Sequence, residues 1–455
     1  MSGRESGIFS PVKLPWLPRL DPHMKEVVQG AAVALALKVL GALLTFGLNV
    51  LIARMFGASG TGVFSLAFTV MTIATVFGRM GMDNTLLRFV AANASSAQWA
   101  AVKGVSRKAL GISVAASLVA TAALWGAAPW LAASVFHKPE LAMPIRWMSL
   151  AVAPVTLSTL LAAMLQALKR VFASTVVSAV SISGVAVGVL WVLGSAHGPL
   201  SAVWAYTAGA VISALGAWLW WRRATPALAG VQPEFDTRTL LRSSLPLLWV
   251  ASMSMAMNWI ATFTLGVWGS TAEVGIFNAA SRVTFLVSFV LIAVNTISAP
   301  KFAALYEARQ TAVLASTARA SERLMVVLAA PILLVFLLLP RAIMGVFGPE
   351  FKVGALQLAI LAIAQAANVM TGSVGYLLMM SGHERQVRDS NTIAAVTCVV
   401  CCVVLVPWLG GVGAAVAVAA ALIVRNIVEV WQVKRYLGIG VLFLPPPASE
   451  LARYQ

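Results

Sequence analysis

Four basic side chains, Lys38, Arg79, Arg282 and Arg425, lie inside stretches of sequence that are otherwise almost free of charge. In a membrane-spanning helix such a charge costs about 2.5–3.5 kcal/mol on insertion scales, so it persists where it faces water, a partner or a ligand. A guanidinium can bond two oxygens of one phosphate at once. These residue types therefore predict a site for an anion, and phosphate suits them best.

The four basic side chains fall into two pairs, according to whether an acidic residue lies one helical turn away. Arg79 has Asp83 one helical turn away and Arg425 has Glu429, so both could be ordinary i,i+4 ion pairs. Lys38 and Arg282 have no such neighbour. Arg282 lies near a helix end and could extend its charge to the bilayer surface, which is harder for Lys38 near the middle of its helix. No segment carries a carboxylate at mid-membrane depth, which favours an anionic ligand.

Polar side chains form stripes on four predicted helices, at about 100° per residue. By helix, the stripes are Ser65, Thr69, Thr72, Arg79 and Asp83 on the second; Ser254, Asn258 and Thr262 on the seventh; Asn278 and Arg282 on the eighth; and Gln365, Asn368, Gly372 and Tyr376 on the tenth. They indicate a wet cleft between two bundles, and scattered polar packing is the alternative. We predict that Lys38, Arg79, Arg282, Arg425, Asn258, Asn278, Gln365 and Asn368 line this cleft, with Asp83 as the candidate coupling residue.

The composition requires a membrane protein around these residues. Of the 455 residues 60% are hydrophobic and only 10% are charged, and the mean hydropathy is +0.90. A soluble chain is roughly half apolar and about a quarter charged. Cys398, Cys401 and Cys402 share one apolar helix without other ligands nearby, so they predict packing rather than a metal site or a disulfide.

Twelve runs are long and apolar enough to cross a bilayer, and we number them segments 1 to 12. They lie near residues 29–52, 61–81, 107–129, 144–168, 171–193, 200–221, 245–267, 277–299, 323–345, 354–380, 391–409 and 412–431. Most of the 32 Lys and Arg residues fall on the side of the N-terminus; the opposite loops and helix ends hold only Arg54, Lys138, Arg146, Arg341 and Lys352. This bias places both termini in the cytoplasm and accounts for most of the net charge of +17 without nucleic acid.

An internal repeat relates the two halves of the chain. GASGTGVF at 57–64 returns as STAEVGIF at 270–277, which pairs Gly62 with Gly275, and at the same spacing RFVAA at 88–92 returns as KFAAL at 301–305. VLGSAHGPLSAV at 192–203 matches PWLGGVGAAVAV at 407–418 at nearly that spacing. Each unit has six segments, so both halves enter the membrane from the same side. The prediction is an all-α polytopic membrane protein of about 12 helices, in two parallel six-helix lobes around a central cavity.

The chain also resembles a known family. GASGTGVFSL after segment 1, GSTAEVGIFNAASRVTFLVSFVLIAVNTISAPKFAALYEA around segment 8 and VPWLGGVGAAVAVAAAL before segment 12 resemble the polysaccharide transporter branch of the multidrug/oligosaccharidyl-lipid/polysaccharide exporter superfamily. The likeness runs from about residue 30 to 435. It implies a flippase that moves polyprenyl-pyrophosphate-linked oligosaccharide, an O-antigen or exopolysaccharide unit, to the outer leaflet of a bacterial inner membrane by alternating access. It implies no cofactor beyond a coupling proton or sodium ion.

Three alternatives remain at this point. A drug or cation antiporter of the same superfamily would use acidic membrane residues, which this chain lacks at mid-depth. A lipid II flippase usually carries two further C-terminal helices. A membrane glycan polymerase or ligase, which would be an enzyme, needs a large outer loop or a carboxylate-and-His cluster, and His23, His137, His197 and His383 are far apart.

The predicted organisation follows from the segments. It comprises a cytoplasmic tail (1–24), an N-lobe (25–222), a cytoplasmic linker (223–244), a C-lobe (245–435) and a second cytoplasmic tail (436–455). The expected partners are the lipid-linked glycan, membrane lipids, a glycan polymerase and a chain-length regulator, with no nucleic acid. We expect a monomer.

Overall fold

The computed structural model describes residues 22–440, with side chains from residue 33 onward except at residues 250, 254, 256 and 257. The predicted tails therefore lie largely outside the described residues, as does the side chain of Ser254. Within residues 22–440 the secondary structure is helical, without a β-strand. The all-α prediction is confirmed.

Sixteen α-helices build the described chain. Those before the linker are α1 (Pro22–Arg79), α2 (Met82–Ser95), α3 (Trp99–Trp130), α4 (Ala142–Ser149), α5 (Val152–Ala167), α6 (Val171–Thr175), α7 (Ile182–Leu193) and α8 (Leu200–Ala224). Those after it are α9 (Thr237–Trp268), α10 (Thr271–Phe285), α11 (Ser288–Glu307), α12 (Thr311–Leu338), α13 (Pro340–Met344), α14 (Ala355–Thr371), α15 (Val374–Met380) and α16 (Glu384–Leu437). Short π-helical and 3-10 turns, such as Val176–Ser181 between α6 and α7, join several of them.

These helices supply the twelve predicted segments. Eight helices are long and apolar enough to cross a membrane, and two bent pairs, α4 with α5 and the two halves of α9, do so as units. Two of the eight contain a glycine with non-helical backbone, Gly57 in α1 and Gly410 in α16, and each of these holds two segments. Segment 8 comprises α10 and α11, and segment 10 comprises α14 and α15.

Several helices begin well before the predicted segments. α3 begins at Trp99, α9 at Thr237 and α12 at Thr311, whereas hydropathy places these starts at residues 107, 245 and 323. The difference arises because a helix continues past the apolar stretch into polar sequence, where hydropathy no longer marks it. Asp236 fixes one such start, since its carboxylate accepts hydrogen bonds from the N–H groups of Arg238 and Thr239.

The repeat forms a close contact between the lobes. Gly62 on segment 2 and Gly275 on segment 8 lie backbone to backbone: a Cβ on Gly62 would collide with the carbonyl of Thr271, and a Cβ on Gly275 with the carbonyl of Ala58. Ala58 and Thr271 are themselves equivalent repeat positions, so one contact occurs twice about a pseudo-twofold axis. The hydroxyls of Ser59 and Thr271 lie 2.9 Å apart beside it.

The lobes meet at one end and separate at the other. We call the end near residues 22 and 440 the inner end, after the charge pattern, and the opposite end the outer end. Buried apolar side chains of both lobes form one cluster at the outer end, whereas each lobe has its own cluster at the inner end. Accordingly α10 packs along α1, while α11 packs on α12 and α15 of its own lobe. The space between the inner halves of the lobes is the central cleft.

Loops from each lobe reach across the outer end. Lys138 Nζ donates to the Gly266 carbonyl at 2.6 Å, near the C-terminal end of α9. Glu350 Oε2 accepts from the Ala58 N–H at 2.9 Å, where segment 2 begins. A cation at a helix C-terminus and an anion at a helix N-terminus both complement the helix dipole. Burial lowers the pKa of Lys138, although Glu140 and Glu273 raise it.

At the inner end, α9 bridges the lobes. Its first half packs on the N-lobe, where Gly81 lies against the backbone of Ser244 and Leu248, and Leu240 belongs to the apolar cluster of that lobe. Its second half packs along α16 in the C-lobe. A 54° bend between Met253 and Asn258 separates the two halves.

Candidate functional site

Arg282 lies between the lobes, where they begin to separate. It follows Gly275 by seven residues on α10, and seven residues make about two full turns, so both residues face segment 2. The guanidinium lies over the Trp259 ring, 5.9 Å from its centre, and the side chain is partly buried. Among the described residues no carboxylate lies within 4.0 Å of it. Arg282 is therefore held by an aromatic face rather than by an ion pair.

The aromatic rings around Arg282 come from both lobes. Phe68 on segment 2 packs against Tyr206 on α8, with ring centres 5.1 Å apart, and against Trp259 on α9 at 5.4 Å. Phe64 extends the group toward the outer end. We call Phe64, Phe68, Tyr206 and Trp259 the central aromatic cluster. It lies where the two lobes meet and offers ring faces to a cation.

Lys38 lies apart from Arg282. Gly41, one turn after Lys38 on segment 1, packs against Ala179. Thr45, two turns after Lys38, shares a hydrogen bond with Ser183 on α7. This face of segment 1 therefore packs toward segment 5. Lys38 lies on the same face and is exposed. The structure does not bring Lys38 and Arg282 together.

Arg79 and Asp83 form the ion pair that their spacing allows. Arg79 NH1 lies 3.3 Å from Asp83 Oδ2, and both side chains are about a quarter exposed. The pair spans the end of α1 and the first turn of α2, across the left-handed Gly81. Asp83 is thus engaged at the inner end, and its role in coupling stays a prediction.

Three of the predicted residues meet in the C-lobe. Asn368 Nδ2 donates to Gln365 Oε1 at 3.2 Å, and Arg425 NH2 donates to Asn368 Oδ1 at 3.2 Å. Arg425 Nε lies 4.0 Å from Glu429 Oε1, which also accepts from the Ser390 hydroxyl at 3.2 Å. We call Gln365, Asn368, Arg425, Glu429 and Ser390 the C-lobe polar chain. It joins segments 10, 11 and 12.

The two remaining predicted residues lie elsewhere. Asn278 is buried in the closed outer half, where its amide donates to the Val274 carbonyl of its own helix. Asn258 is exposed at the start of the second half of α9. On segment 2, Ser65 and Thr69 are also buried, so the outer parts of these polar stripes face packed protein.

Glu322 is a buried carboxylate that the sequence analysis did not single out, since its expectation concerned only carboxylates at mid-membrane depth. Because α12 begins at Thr311, Glu322 lies inside this helix, one residue before the predicted start of segment 9, and it is 2% exposed. Its Oε1 has no hydrogen-bond partner. Among the described residues no three His, Cys, Asp or Glu side chains come together. No cation of the described chain lies within 4.0 Å of the Glu322 carboxylate.

Sequence reasoning missed Glu322 and the central aromatic cluster for different reasons. Glu322 lies between Arg319 and Arg323, and such a charge run reads as a solvated helix end. The aromatic residues come from segments 2, 6 and 7, and only the fold brings them together. Phe64 and Phe277 are equivalent in the repeat. This equivalence was the one signal in the sequence that aromatic side chains lie near the pseudo-twofold axis.

The comparisons with known proteins agree with this architecture. The model of a family described as polysaccharide biosynthesis protein matches residues 27–305, more than half of the chain. No curated protein sequence matches the chain.

Solved structures give the fold at low sequence identity. An inward-facing multidrug resistance MATE family transporter of the MOP superfamily is similar with a TM-score of 0.72 and 15% identity, covering 90% of this chain and 98% of that one. The lipid II flippase MurJ in an inward closed conformation gives 0.70 and 14%, covering 88% and 87%. An outward-facing MATE structure gives 0.60 and 15%, covering 90% and 96%. The two-lobed transporter fold is thereby confirmed.

Proposed function

The chain belongs to the polysaccharide biosynthesis protein family, and we propose that it is a flippase for a polyprenyl-pyrophosphate-linked oligosaccharide, an O-antigen or exopolysaccharide unit. It moves the lipid-linked glycan from the cytoplasmic to the outer leaflet of a bacterial inner membrane. Both termini are cytoplasmic, the working form is a monomer, and a glycan polymerase and a chain-length regulator act beside it.

The position of Arg282 carries this proposal. A guanidinium that faces the other lobe, without a carboxylate, is a site for an anionic ligand. The Trp259 ring orients it without neutralising its charge, since a cation–π contact contributes only about 0.5–2 kcal/mol. A pyrophosphate entering the central cleft from the inner end would meet Arg282 at its closed outer limit.

The C-lobe polar chain supplies amide side chains as a second kind of ligand-binding group. Gln365 and Asn368 are partly exposed amides, which both donate to and accept from sugar hydroxyls. Arg425 holds Asn368 in place through its hydrogen bond. In this proposal the amides contact the glycan, while Arg282 holds the pyrophosphate.

The contacts at the outer end define what alternating access must change. Segments 2 and 8 touch at Gly62 and Gly275, and Lys138 and Glu350 cross between the lobes. We propose that these contacts open together when the cleft closes at the inner end, which passes the head group outward. The rim of this contact is polar, and the apolar cluster that both lobes share at the outer end must separate with it.

A cation antiporter is the second candidate, because Glu322 places one buried carboxylate inside α12. It would bind a cationic drug at that carboxylate. Glu322 is enclosed by protein, however, whereas Arg282 lies at the junction of the lobes. The geometry therefore favours an anionic cargo.

The test is the paired substitution Lys38→Ala with Arg282→Ala, measured as translocation of a polyprenyl-pyrophosphate oligosaccharide in proteoliposomes at equal protein content. We expect loss of translocation in the double variant and in Arg282→Ala alone, with partial recovery in Arg282→Lys. Arg388→Ala is the matched control, because Arg388 is exposed and paired with Asp389. Undiminished translocation by the double variant would remove the assignment, and cationic dye export that depends on Glu322 would favour the antiporter.

A further inference from the structure

The last helix of each lobe ends with the same two side chains. On α8 they are Trp218 and Arg222, and on α16 they are Trp431 and Arg435. The steps from 218 to 431 and from 222 to 435 are both 213 residues, the same step that takes residue 57 to residue 270 in the repeat. WLWWRRA at 218–224 and WQVKRYL at 431–437 agree only at these two positions. We call them the inner Trp–Arg pairs.

The structure gives both pairs the same geometry. The Arg222 guanidinium lies 4.5 Å from the centre of the Trp218 ring, and that of Arg435 lies 5.0 Å from the Trp431 ring. Helical side chains lean toward the N-terminus of their helix, so an arginine one turn after a tryptophan reaches back over the ring. Both helices run toward the inner end, so this direction points into the membrane. Each guanidinium is therefore held beside the ring rather than extended into water.

The two pairs lie at the depth of the lipid head groups. Trp218 is in the last turn of segment 6 and Trp431 is the last residue of segment 12, so the rings mark the inner edge of the hydrocarbon core. The head-group layer extends about 5–7 Å beyond that edge. Four residues of helix advance about 6 Å. The backbone of each arginine thus lies in the layer that contains the lipid phosphates.

Both pairs are exposed and carry charge without an acidic partner. Trp218 and Trp431 are 41% and 53% exposed, and both arginines are exposed as well. In the part of the chain that the structure describes, no carboxylate lies within 4.0 Å of either guanidinium. A further exposed basic residue adjoins each pair, Arg223 in the N-lobe and Lys434 in the C-lobe. Each pair therefore attracts an anion.

An apolar surface leads to each pair from the membrane side. Val211 and Leu215 precede Trp218 on one face of α8 and are 41% and 57% exposed. Ile427, one turn before Trp431 on α16, is 62% exposed. A lipid whose phosphate contacts the arginine would lay its acyl chains along these side chains, which favours a lipid over a free anion.

Membrane anchoring by tryptophan does not require the arginines. Trp191 and Trp408, at the outer ends of segments 5 and 11, are 80% and 87% exposed. Ser195 and Val412 follow them by one turn, so these tryptophans have no cation at the equivalent position. They suit the ordinary role of interfacial anchors. The inner pairs add an oriented cation to such an anchor, in both lobes.

We propose that each inner Trp–Arg pair binds the phosphate of an anionic phospholipid of the inner leaflet. The planar guanidinium can bond two phosphate oxygens at once, and the indole ring holds it in position. The adjoining Arg223 or Lys434 adds a diffuse attraction for the negative charge of the lipid. The chain therefore holds two lipids, one on each lobe, at positions related by the pseudo-twofold axis.

The test counts the phospholipids that stay bound to the purified full chain without any glycan, so its result is independent of the proposed cargo. The chain is reconstituted with equal amounts of phosphatidylglycerol and phosphatidylcholine, extracted into detergent and examined by native mass spectrometry. We expect the wild type to retain two molecules of phosphatidylglycerol. Arg222→Ala and Arg435→Ala should each lose one of them, because an arginine near an anionic lipid contributes about a fivefold gain in affinity. The double variant should lose both.

Two further variants separate the geometry of the pair from its charge. Arg223→Ala removes the same charge one residue further along α8 and should still retain two lipids, because the ring-bound guanidinium remains. Trp218→Leu changes no charge but frees the Arg222 guanidinium, so it should lose the N-lobe lipid. These side chains are exposed, and the variants should therefore keep the melting temperature of the wild type.

Three results would overturn the assignment. The first is a wild type that retains phosphatidylglycerol no better than phosphatidylcholine. The second is an equal loss of lipid in Arg223→Ala and Arg222→Ala, since surface charge alone would then explain the binding. The third is a parallel reconstitution in which polyprenyl pyrophosphate occupies the two pairs and phosphatidylglycerol does not.

Discussion

The two lobes share an architecture, but their buried polar groups differ. In the described part of the N-lobe, every buried polar side chain is a serine or a threonine. The C-lobe adds buried amides and carboxylates, namely Asn278, Asn295, Gln357, Asn426, Gln432, Glu322 and Glu429. The repeat therefore preserved the packing of the two halves while their chemistry diverged.

The difference matters because these groups are satisfied in different ways. Hydroxyls on segment 2 bond to the backbone of their own helix, as Thr69 does to the Ser65 carbonyl and Thr75 to the Met71 carbonyl. A buried amide or carboxylate needs partners from other helices or from a ligand. The C-lobe polar chain and Glu322 thus concentrate the capacity for specific binding in one lobe.

The prediction with the largest expected effect concerns the close helix contact that both lobes share. Gly62→Leu and Gly275→Leu should each prevent closure of the outer end, because each side chain would collide with a carbonyl of the other lobe. Cysteines at positions 59 and 271, whose native hydroxyls are 2.9 Å apart, should form a disulfide in the parent background and not in either variant.

Symmetry makes this prediction sharper, since the two substitutions should have equal effects. Gly111→Leu is the control, because a Cβ on Gly111 would meet nothing within 4 Å. The cross-linking background lacks Cys398, Cys401 and Cys402. Strongly unequal effects of the two glycine substitutions would mean that the outer contact is not a repeated one.

The prediction with the next largest effect compares the ion pairs of the two lobes. Arg425→Ala should destabilise the protein by about 2–3 kcal/mol, because Glu429 is only 7% exposed and would lose its cation. The 4.0 Å separation and the 24% exposure of Arg425 set this value below that of a fully buried pair. Arg79→Ala should cost at most about 1 kcal/mol, since its partner Asp83 reaches water. Melting temperatures of the purified variants measure the contrast.

A second substitution separates charge from packing in this comparison. Arg425→Ala combined with Glu429→Gln should recover most of the stability lost in Arg425→Ala, because no buried charge is then left unpaired. Arg79→Ala combined with Asp83→Asn should differ little from Arg79→Ala. If Arg79→Ala and Arg425→Ala lose the same stability, the contrast between the lobes does not extend to their ion pairs.

Most of the fold could be predicted because it depends on local and repeated patterns. Segment number follows from apolar runs, and the relation of the halves follows from Gly62 and Gly275, which recur because a helix contact without a Cβ tolerates no other residue. The inner starts of α9 and α12 could not be predicted, since polar helix turns in water have no apolar signature.

The candidate site was predictable only in part, and the reason is physical. Residue type and helical spacing singled out Arg282 and Arg425, because a charge in an apolar helix is visible in sequence, whereas the hydrogen bond from Arg425 to Asn368 was found only in the structure. Whether a polar stripe faces a cleft or a packed neighbour depends on the tilt of two helices. That is why Asn278 is buried at the outer end.

The smallest effect tests the two outer loops, which cross between the lobes with opposite charges, Lys138 from the N-lobe and Glu350 from the C-lobe. Burial lowers the pKa of Lys138 below 10.5. As the pH rises, the folded state therefore releases the lysine proton at a lower pH than the unfolded state does. The free energy of unfolding then increases with pH from the folded-state pKa up to the unfolded-state pKa of 10.5. As the pH rises toward 10.5, the wild type should therefore gain melting temperature relative to Lys138→Gln. Lys352→Gln, at an exposed lysine of the matching loop, should follow the wild type, and a constant difference for Lys138→Gln would contradict the burial of that charge.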